Sequence, residues 1–84
     1  MAFTQTLAAE AGPMGVRVNA VAPGLVDTKM ATQMEKKAET EMIQNSAMKR
    51  LARAEEISQV VLFLASDAAS FVNGQVITVN GGRA

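Results

Sequence analysis

The sequence predicts an α/β fold in the order helix, strand, helix, helix, strand. Two short runs rich in β-branched residues, 16–21 and 75–80, predict the strands, and a long segment with helical periodicity separates them. Strands joined through helices run parallel with a right-handed crossover, so the predicted unit is βαβ. A sheet of two strands would leave an open edge on each strand. It would also have too few helices to cover both faces, whereas parallel sheets are normally buried on both sides. We therefore expect part of a larger sheet, incomplete as a stand-alone domain.

The first two elements are a helix and a strand. Residues 3–11, FTQTLAAEA, place Phe3 and Leu7 on one helical face, and a Gly-Pro pair ends the helix. The strand VRVNAV follows, with alternating side chains. Pro23-Gly24 closes it, since proline lacks the N–H that the next ladder bond needs. A Pro-Gly corner is thus predicted at the carboxyl end of this strand.

The middle of the chain predicts two helices of unequal strength. Residues 28–45 form a weak pattern, with Met30 and Met34 one turn apart among many polar positions. A polar connection from residue 45 leads to the stronger helix at 54–66. Its apolar stripe follows i, i+3, i+4, i+7 spacing and comprises Ile57, Val60, Val61 and Leu64.

The last element is the strand QVITVN, which an Asn-Gly turn precedes and Gly81-Gly82 closes. Its β-branched residues and bounding glycines are typical of a short buried strand. The run 75–80 is therefore predicted to be the second strand.

Composition excludes several kinds of chemistry. Eight Lys and Arg residues balance eight Asp and Glu residues, so no nucleic-acid partner is indicated. Without Cys or His, the chain has no disulfide, thiolate, imidazole base or soft metal site. The longest apolar run, VVLFLA, is far shorter than the roughly 20 residues that span a bilayer. We expect a cytoplasmic protein without a membrane partner.

Two long stretches point to a family. GVRVNAVAPGLVDTKM and KRLARAEEISQVVLFLASDAASFVNGQVITVNGG together resemble the C-terminal part of short-chain dehydrogenases/reductases, similar to 3-oxoacyl-acyl-carrier-protein reductases. The resemblance covers essentially all of 1–84 and implies one partial domain of a Rossmann-like, doubly wound parallel sheet. It also implies NAD or NADP as cofactor, ketone reduction or secondary alcohol oxidation as activity, and a homo-oligomer.

The resemblance assigns the Pro-Gly corner to the cofactor. It implies that the backbone at Pro23, Gly24 and Val26 meets the nicotinamide carboxamide and that Thr28 hydrogen-bonds to it or to the pyrophosphate. Open α/β sheets bind ligands at the carboxyl ends of their strands, and a glycine lets a ring approach the backbone. Taken as local pattern alone, the same residues read as a strand terminator followed by a helix cap at Asp27 or Thr28.

Methionines mark the segment 29–50 as a predicted substrate loop. Met30 and Met34, with Met42 and Met48, suit an adaptable acyl or steroid pocket, because thioethers fill irregular apolar space. A lid that packs on its own body is the favoured alternative. The implied substrate of the full-length form is a carrier-bound acyl group or a small ketone or alcohol.

A basic cluster lies beside this loop. Lys49, Arg50 and Arg53 suit an acidic carrier protein or a phosphate, but Glu55 and Glu56 follow at once. A solvated face is therefore the preferred interpretation of the cluster.

Two hypotheses of different class follow. Family members carry a Gly-rich dinucleotide turn and a Ser-Tyr-Lys set, and this sequence has neither an early Gly-rich loop nor any Tyr. The first hypothesis is a fragment or truncated form of an NAD(P)-dependent oxidoreductase, inactive alone and without tight cofactor binding. The second is a non-catalytic module that self-associates through its open sheet edge and apolar helix faces.

Overall fold

The computed structural model describes residues 2–27 and 35–82. The helices and strands within these residues follow the predicted order. They are α1 (Ala2–Ala11), β1 (Ala20–Pro23), α2 (Lys36–Gln44), α3 (Ala54–Ala65) and β2 (Val76–Val79), with 3₁₀ turns at Gly12–Met14 and Asp67–Ala69.

The sheet is parallel, as the sequence predicts. Its register pairs Ala20 with Val76 and continues to Pro23 opposite Val79. The Gly24 N–H donates to the Val79 carbonyl at 2.8 Å and carries the pairing one step past the strand. In the part of the chain that the structure describes, this sheet has two strands, so each strand has an open edge.

The predicted start of β1 at residue 16 is wrong, because the strand begins at Ala20. The Val18 N–H donates to Asn73 Oδ1 at 2.9 Å, and the Val18 carbonyl accepts from the Gly74 N–H at 2.8 Å. Asn19 Oδ1 accepts from the Gln75 N–H at 3.0 Å. Side-chain and turn contacts thus take the place of ladder bonds before the strand.

An arginine joins α3 to the chain that enters β1. Nη1 of Arg17 donates to the Leu64 carbonyl at 2.7 Å, and Nη2 donates to the Ser66 carbonyl at 3.3 Å. These carbonyls lie at the C-terminal end of α3, where unpaired carbonyls and the helix dipole favour a cation. Leu64, the buried residue of α3, is anchored by this contact.

The buried apolar residues of the described chain are Leu64 and two small ones, Ala8 and Ala69. On α1 the buried residues are Thr4 and Ala8, whereas Phe3, on the apolar face that the sequence marks, is 74% exposed. Ala8 is buried because it packs closely against the turn at Gly74, where a Cβ would lie 3.3 Å from the Ala8 Cβ. Helix α1 therefore packs through a small-residue contact and leaves its aromatic ring in solvent.

The weak helix of the sequence is described in part. Helix α2 begins at Lys36 and ends at Gln44, inside the predicted range 28–45. Met30 and Met34 lie outside the described residues. No helix within 2–27 and 35–82 has the length and apolarity that crossing a membrane requires.

Candidate functional site

The candidate site lies where both strands end. Gly24 and Leu25 follow β1, Asn80 and Gly81 follow β2, and the parallel register brings the two ends to the same edge. In open α/β sheets this edge is where ligands bind. The residues that the sequence marks at Pro23, Gly24 and Val26 are therefore together at one corner, while Thr28 lies outside the described residues.

Gly24 is required by a contact within the chain. A Cβ at Gly24 would lie 3.0 Å from both Cα and Cβ of Asn80, closer than ordinary van der Waals contact. The glycine thus lets the end of β2 pass against the end of β1. This role is additional to the approach of a cofactor ring, which stays a prediction.

The end of β2 is held by the segment that follows α2. The Met48 N–H donates to the Gly81 carbonyl at 3.0 Å, and the Ala47 N–H donates to the Gly82 carbonyl at 3.2 Å. Gly81 has a φ of +65°, and a Cβ there would lie 2.7 Å from Oγ of the buried Ser46. Sequence reasoning identified the two glycines as a strand end but missed Ser46, whose partners are distant in sequence.

Val26 forms an isolated parallel bridge with Ala52. The Ala52 N–H donates to the Leu25 carbonyl at 3.0 Å, and the Asp27 N–H donates to the Ala52 carbonyl at 2.8 Å. The bridge fixes the chain immediately after the Pro-Gly corner. No sequence pattern indicates this pairing, because the two segments are far apart along the chain and each is too short to show a strand pattern.

The bridge determines where the backbone of Val26 points. Peptide groups alternate in direction along extended chain, so the Val26 N–H and carbonyl face away from Ala52. Among the described residues neither group has a hydrogen-bond partner, although Val26 is half-buried. Half-buried backbone groups of this kind are normally paired with protein, water or ligand. The corner thus offers one donor and one acceptor side by side.

An ion pair flanks Ala52, the residue that bridges to Val26. Nη1 and Nη2 of Arg50 donate to Oε1 and Oε2 of Glu56 at 2.7 and 2.8 Å. The Arg53 N–H donates to Glu56 Oε1 at 2.9 Å, as in the capping of a helix by its third residue. The hydrogen bonds from Arg50 and then from the Arg53 backbone lower the pKa of Glu56 to about 2. Both arginines that the sequence marks as a basic cluster therefore face Glu56, which favours the solvated-face interpretation.

A small cavity adjoins the corner. It has a volume of about 110 Å³, and its wall includes Leu25, Met42, Ile43 and Met48. Drug-sized ligands occupy roughly 300–1,000 Å³, so the cavity has room for part of a ligand. Of the methionines marked by the sequence, Met42 and Met48 thus lie beside the candidate site.

Comparisons with known proteins find relatives that match nearly the whole chain. The family model described as enoyl-(acyl carrier protein) reductase matches residues 1–84. A 3-oxoacyl-acyl-carrier-protein reductase of Thermotoga maritima is 44% identical over 80 residues, covering 95% of this chain and 32% of that protein. A short-chain dehydrogenase/reductase of Aspergillus oryzae is 53% identical over 84 residues, covering 95% of this chain and 32% of that protein.

A solved structure extends the comparison to the fold. The crystal structure of 3-oxoacyl-acyl-carrier-protein reductase from Brucella melitensis superposes with a TM-score of 0.92 at 41% identity, covering 98% of this chain and 31% of that one. The chain spans about a third of the length of these relatives. Its two parallel strands and three described helices correspond to a portion of the Rossmann-like fold of that reductase. The chain belongs to the short-chain dehydrogenase/reductase family of oxidoreductases and corresponds to a short portion of the relatives compared above.

Proposed function

We propose that this chain forms the nicotinamide side of an NAD(P)-dependent oxidoreductase that reduces a ketone or oxidises a secondary alcohol. The observation that carries the proposal is the backbone of Val26, whose N–H and carbonyl have no partner among the described residues. A primary carboxamide such as that of nicotinamide has the complementary acceptor and donors in one plane. Pro23 and Gly24 turn the chain toward the ligand, and Thr28 adds a hydroxyl.

The substrate side is the segment 29–50. In this proposal Met30 and Met34 contribute to an apolar substrate pocket. Met42 and Met48 line the cavity at the corner. The relatives named as 3-oxoacyl-acyl-carrier-protein reductases suggest a carrier-bound 3-oxoacyl group, with a small ketone or alcohol as the alternative. The whole of 1–84 serves as one partial domain of a cytoplasmic, homo-oligomeric enzyme.

Catalysis needs groups that this sequence does not contain. Reduction of a carbonyl joins hydride transfer to protonation of the oxygen, and the proton donor must lie beside that oxygen. The 84 residues include no Tyr and no His. The bound dinucleotide would supply the hydride, while the residues of this chain bind and orient its carboxamide. We therefore propose that the chain alone has no turnover.

Amide NMR spectra of the ¹⁵N-labelled chain, titrated with NAD and with NADP, test the binding role. We expect the amide signals of Leu25, Val26 and Asp27 to shift, with weak affinity because no Gly-rich turn holds the pyrophosphate. Val26→Ala keeps both backbone groups and should bind as the wild type does, whereas Val26→Pro lacks the N–H and should bind more weakly. Unchanged signals at all three residues under saturating dinucleotide would contradict the proposal.

Turnover is tested separately by following NADPH absorbance with a 3-oxoacyl thioester. We expect no oxidation above the rate without protein. Steady oxidation by the pure chain would show that a proton donor other than Tyr operates here.

A second candidate function rests on the exposed apolar side chains. Phe3, Leu62 and Phe71 are 74%, 68% and 101% exposed, and the described sheet has open edges. Surfaces of this kind favour association, so the alternative is a non-catalytic module that self-associates. Light scattering over a concentration series should show growth in mass, and a monomer at high concentration would contradict this alternative.

A further inference from the structure

We propose that the Arg50–Glu56 ion pair is a positioning pair that orients the backbone of Val26 for the nicotinamide. The proposal rests on the proposed function and extends it to two side chains that no ligand contact implicates. A series of contacts leads from Glu56, on the first turn of α3, to the corner after β1.

The first step is the fixed position of the carboxylate. Glu56 accepts two hydrogen bonds from Arg50, at 2.7 and 2.8 Å, and one from the Arg53 N–H at 2.9 Å. A bidentate pair fixes both partners in orientation as well as distance. Nη1 of Arg50 also donates to the Leu51 carbonyl at 3.1 Å, so the guanidinium holds its own backbone segment too. The chain at 50–53 is thereby tied to the start of α3.

The second step is the place of Ala52 within that tied segment. Ala52 lies between Arg50 and Arg53 and makes both backbone hydrogen bonds of the bridge to Val26. A shift of 50–53 relative to α3 would therefore move the donor and the acceptor that face Leu25 and Asp27.

The third step is the anchoring of the corner from its other side. The Gly24 N–H is held by the Val79 carbonyl at 2.8 Å, which belongs to the sheet. Beyond Gly24, the backbone hydrogen bonds at 25–27 within the described residues are the two to Ala52. The direction of the Val26 N–H and carbonyl thus depends on the sheet at one end and on the Ala52 bridge at the other.

Amide hydrogen exchange in Arg50→Gln and Glu56→Gln measures this dependence. We expect exchange of the Ala52 and Asp27 N–H groups to become about fivefold faster, because the loss of a partly exposed ion pair makes local opening of its surroundings modestly easier. The Gly24 N–H, bound to Val79, is the internal reference and should keep its rate.

Arg53→Gln is the matched control. It removes one positive charge near the same carboxylate, but Nε of Arg53 lies 3.6 Å from Glu56 and its side chain is 73% exposed. Exchange at Ala52 and Asp27 should stay near the wild-type rate in this variant. Arg50→Lys keeps the charge without the bidentate geometry and should fall between the wild type and Arg50→Gln.

Two outcomes would overturn the proposal. Equal acceleration at Gly24, Ala52 and Asp27 would mean that the pair has no selective effect on the bridge, and unchanged exchange at Ala52 and Asp27 would mean that the bridge does not depend on it. A cofactor titration of Arg50→Gln adds a readout that a purely structural role would not move. At equal thermal stability, the affinity of Arg50→Gln for NAD or NADP should be several-fold lower than that of Arg53→Gln. Equal affinity would contradict the positioning role.

The proposed function is tested independently by the titration of the wild type. If the signal of Val26 fails to shift there, the nicotinamide assignment is wrong, whatever the exchange rates show. If it shifts and exchange is unaffected by Arg50→Gln, the positioning role is wrong and the binding role stands.

Discussion

The carboxyl end of the sheet and the outer faces of α1 and α3 are built in opposite ways. At the sheet end, segments of the chain meet closely, with Gly24 against the Asn80 backbone and Gly81 against the Ser46 hydroxyl. On the outer faces, large apolar side chains such as Phe3 and Leu62 are 74% and 68% exposed. The geometry of the site therefore depends on short-range backbone contacts, whereas burial of apolar surface is incomplete within the described residues.

Gly81→Ala should have the largest effect, since it combines left-handed backbone strain with a close contact to the Ser46 side chain. Gly81 has a φ of +65°, and the new Cβ would lie 2.7 Å from Ser46 Oγ. We expect the free energy of unfolding to fall by about 3 kcal/mol, of which left-handed strain accounts for about 1–2 kcal/mol. Urea denaturation followed by circular dichroism gives the difference.

Gly15→Ala separates strain from the close contact. Gly15 has a φ of +77°, but no atom lies within 4 Å of a Cβ built there. Its loss of stability should therefore be limited to about 1–2 kcal/mol of strain. Equal losses in Gly15→Ala and Gly81→Ala would show that the packing against Ser46 contributes nothing.

Acidification should weaken the sheet end by a smaller amount. Arg50 and the Arg53 backbone lower the pKa of Glu56 from its ordinary 4.5 to about 2. Because the folded pKa lies below the unfolded one, Glu56 stabilises the fold above pH 4.5, and this contribution is lost as the pH falls toward 2. Glu56→Gln should lack this component, so the wild type should lose more stability than the variant over this interval in denaturation measured at several pH values. Parallel curves for the two proteins would contradict it.

Leu62→Lys should have the smallest effect on the fold of one chain. Since Leu62 is 68% exposed, the free energy of unfolding should change by no more than about 0.5 kcal/mol. Self-association should weaken, which sedimentation velocity measures. Gln59→Lys adds the same charge at an exposed polar position of α3 and should associate as the wild type does. Equal association of both variants and the wild type would exclude Leu62 from the contact.

The sequence predicts elements whose signal is local. The helix predicted at 54–66 ends one residue later than α3, and β2 lies within QVITVN, because apolar spacing and bounding glycines act over a few residues. The start of β1 was predicted wrongly because Val18 pairs with Asn73, 55 residues away, instead of with a strand. A run of alternating residues does not reveal which partner it has.

The position of the candidate site was predicted from the sequence, but the contacts that form it were not. Pro23 and Gly24 identify the corner, since their backbone constraints are properties of the residues themselves. The close approach of Asn80 to Gly24 and the bridge from Val26 to Ala52 are contacts between distant segments. They depend on the parallel register and on the return of the chain before α3, which composition and periodicity do not contain.

The bridge between Val26 and Ala52 has a consequence for how this fold can vary. It joins the two ends of the intervening segment by backbone hydrogen bonds that do not depend on the side chains of either residue. The free energy of closing a loop rises only slowly with its length, by about 0.6 kcal/mol per doubling. Residues of this segment that precede Ser46 can therefore be exchanged, inserted or deleted while the backbone at the corner keeps its direction, whereas 46–50 hold the end of β2 and the ion pair to Glu56. A different substrate specificity can therefore be introduced in this segment without changing the backbone at the Pro-Gly corner.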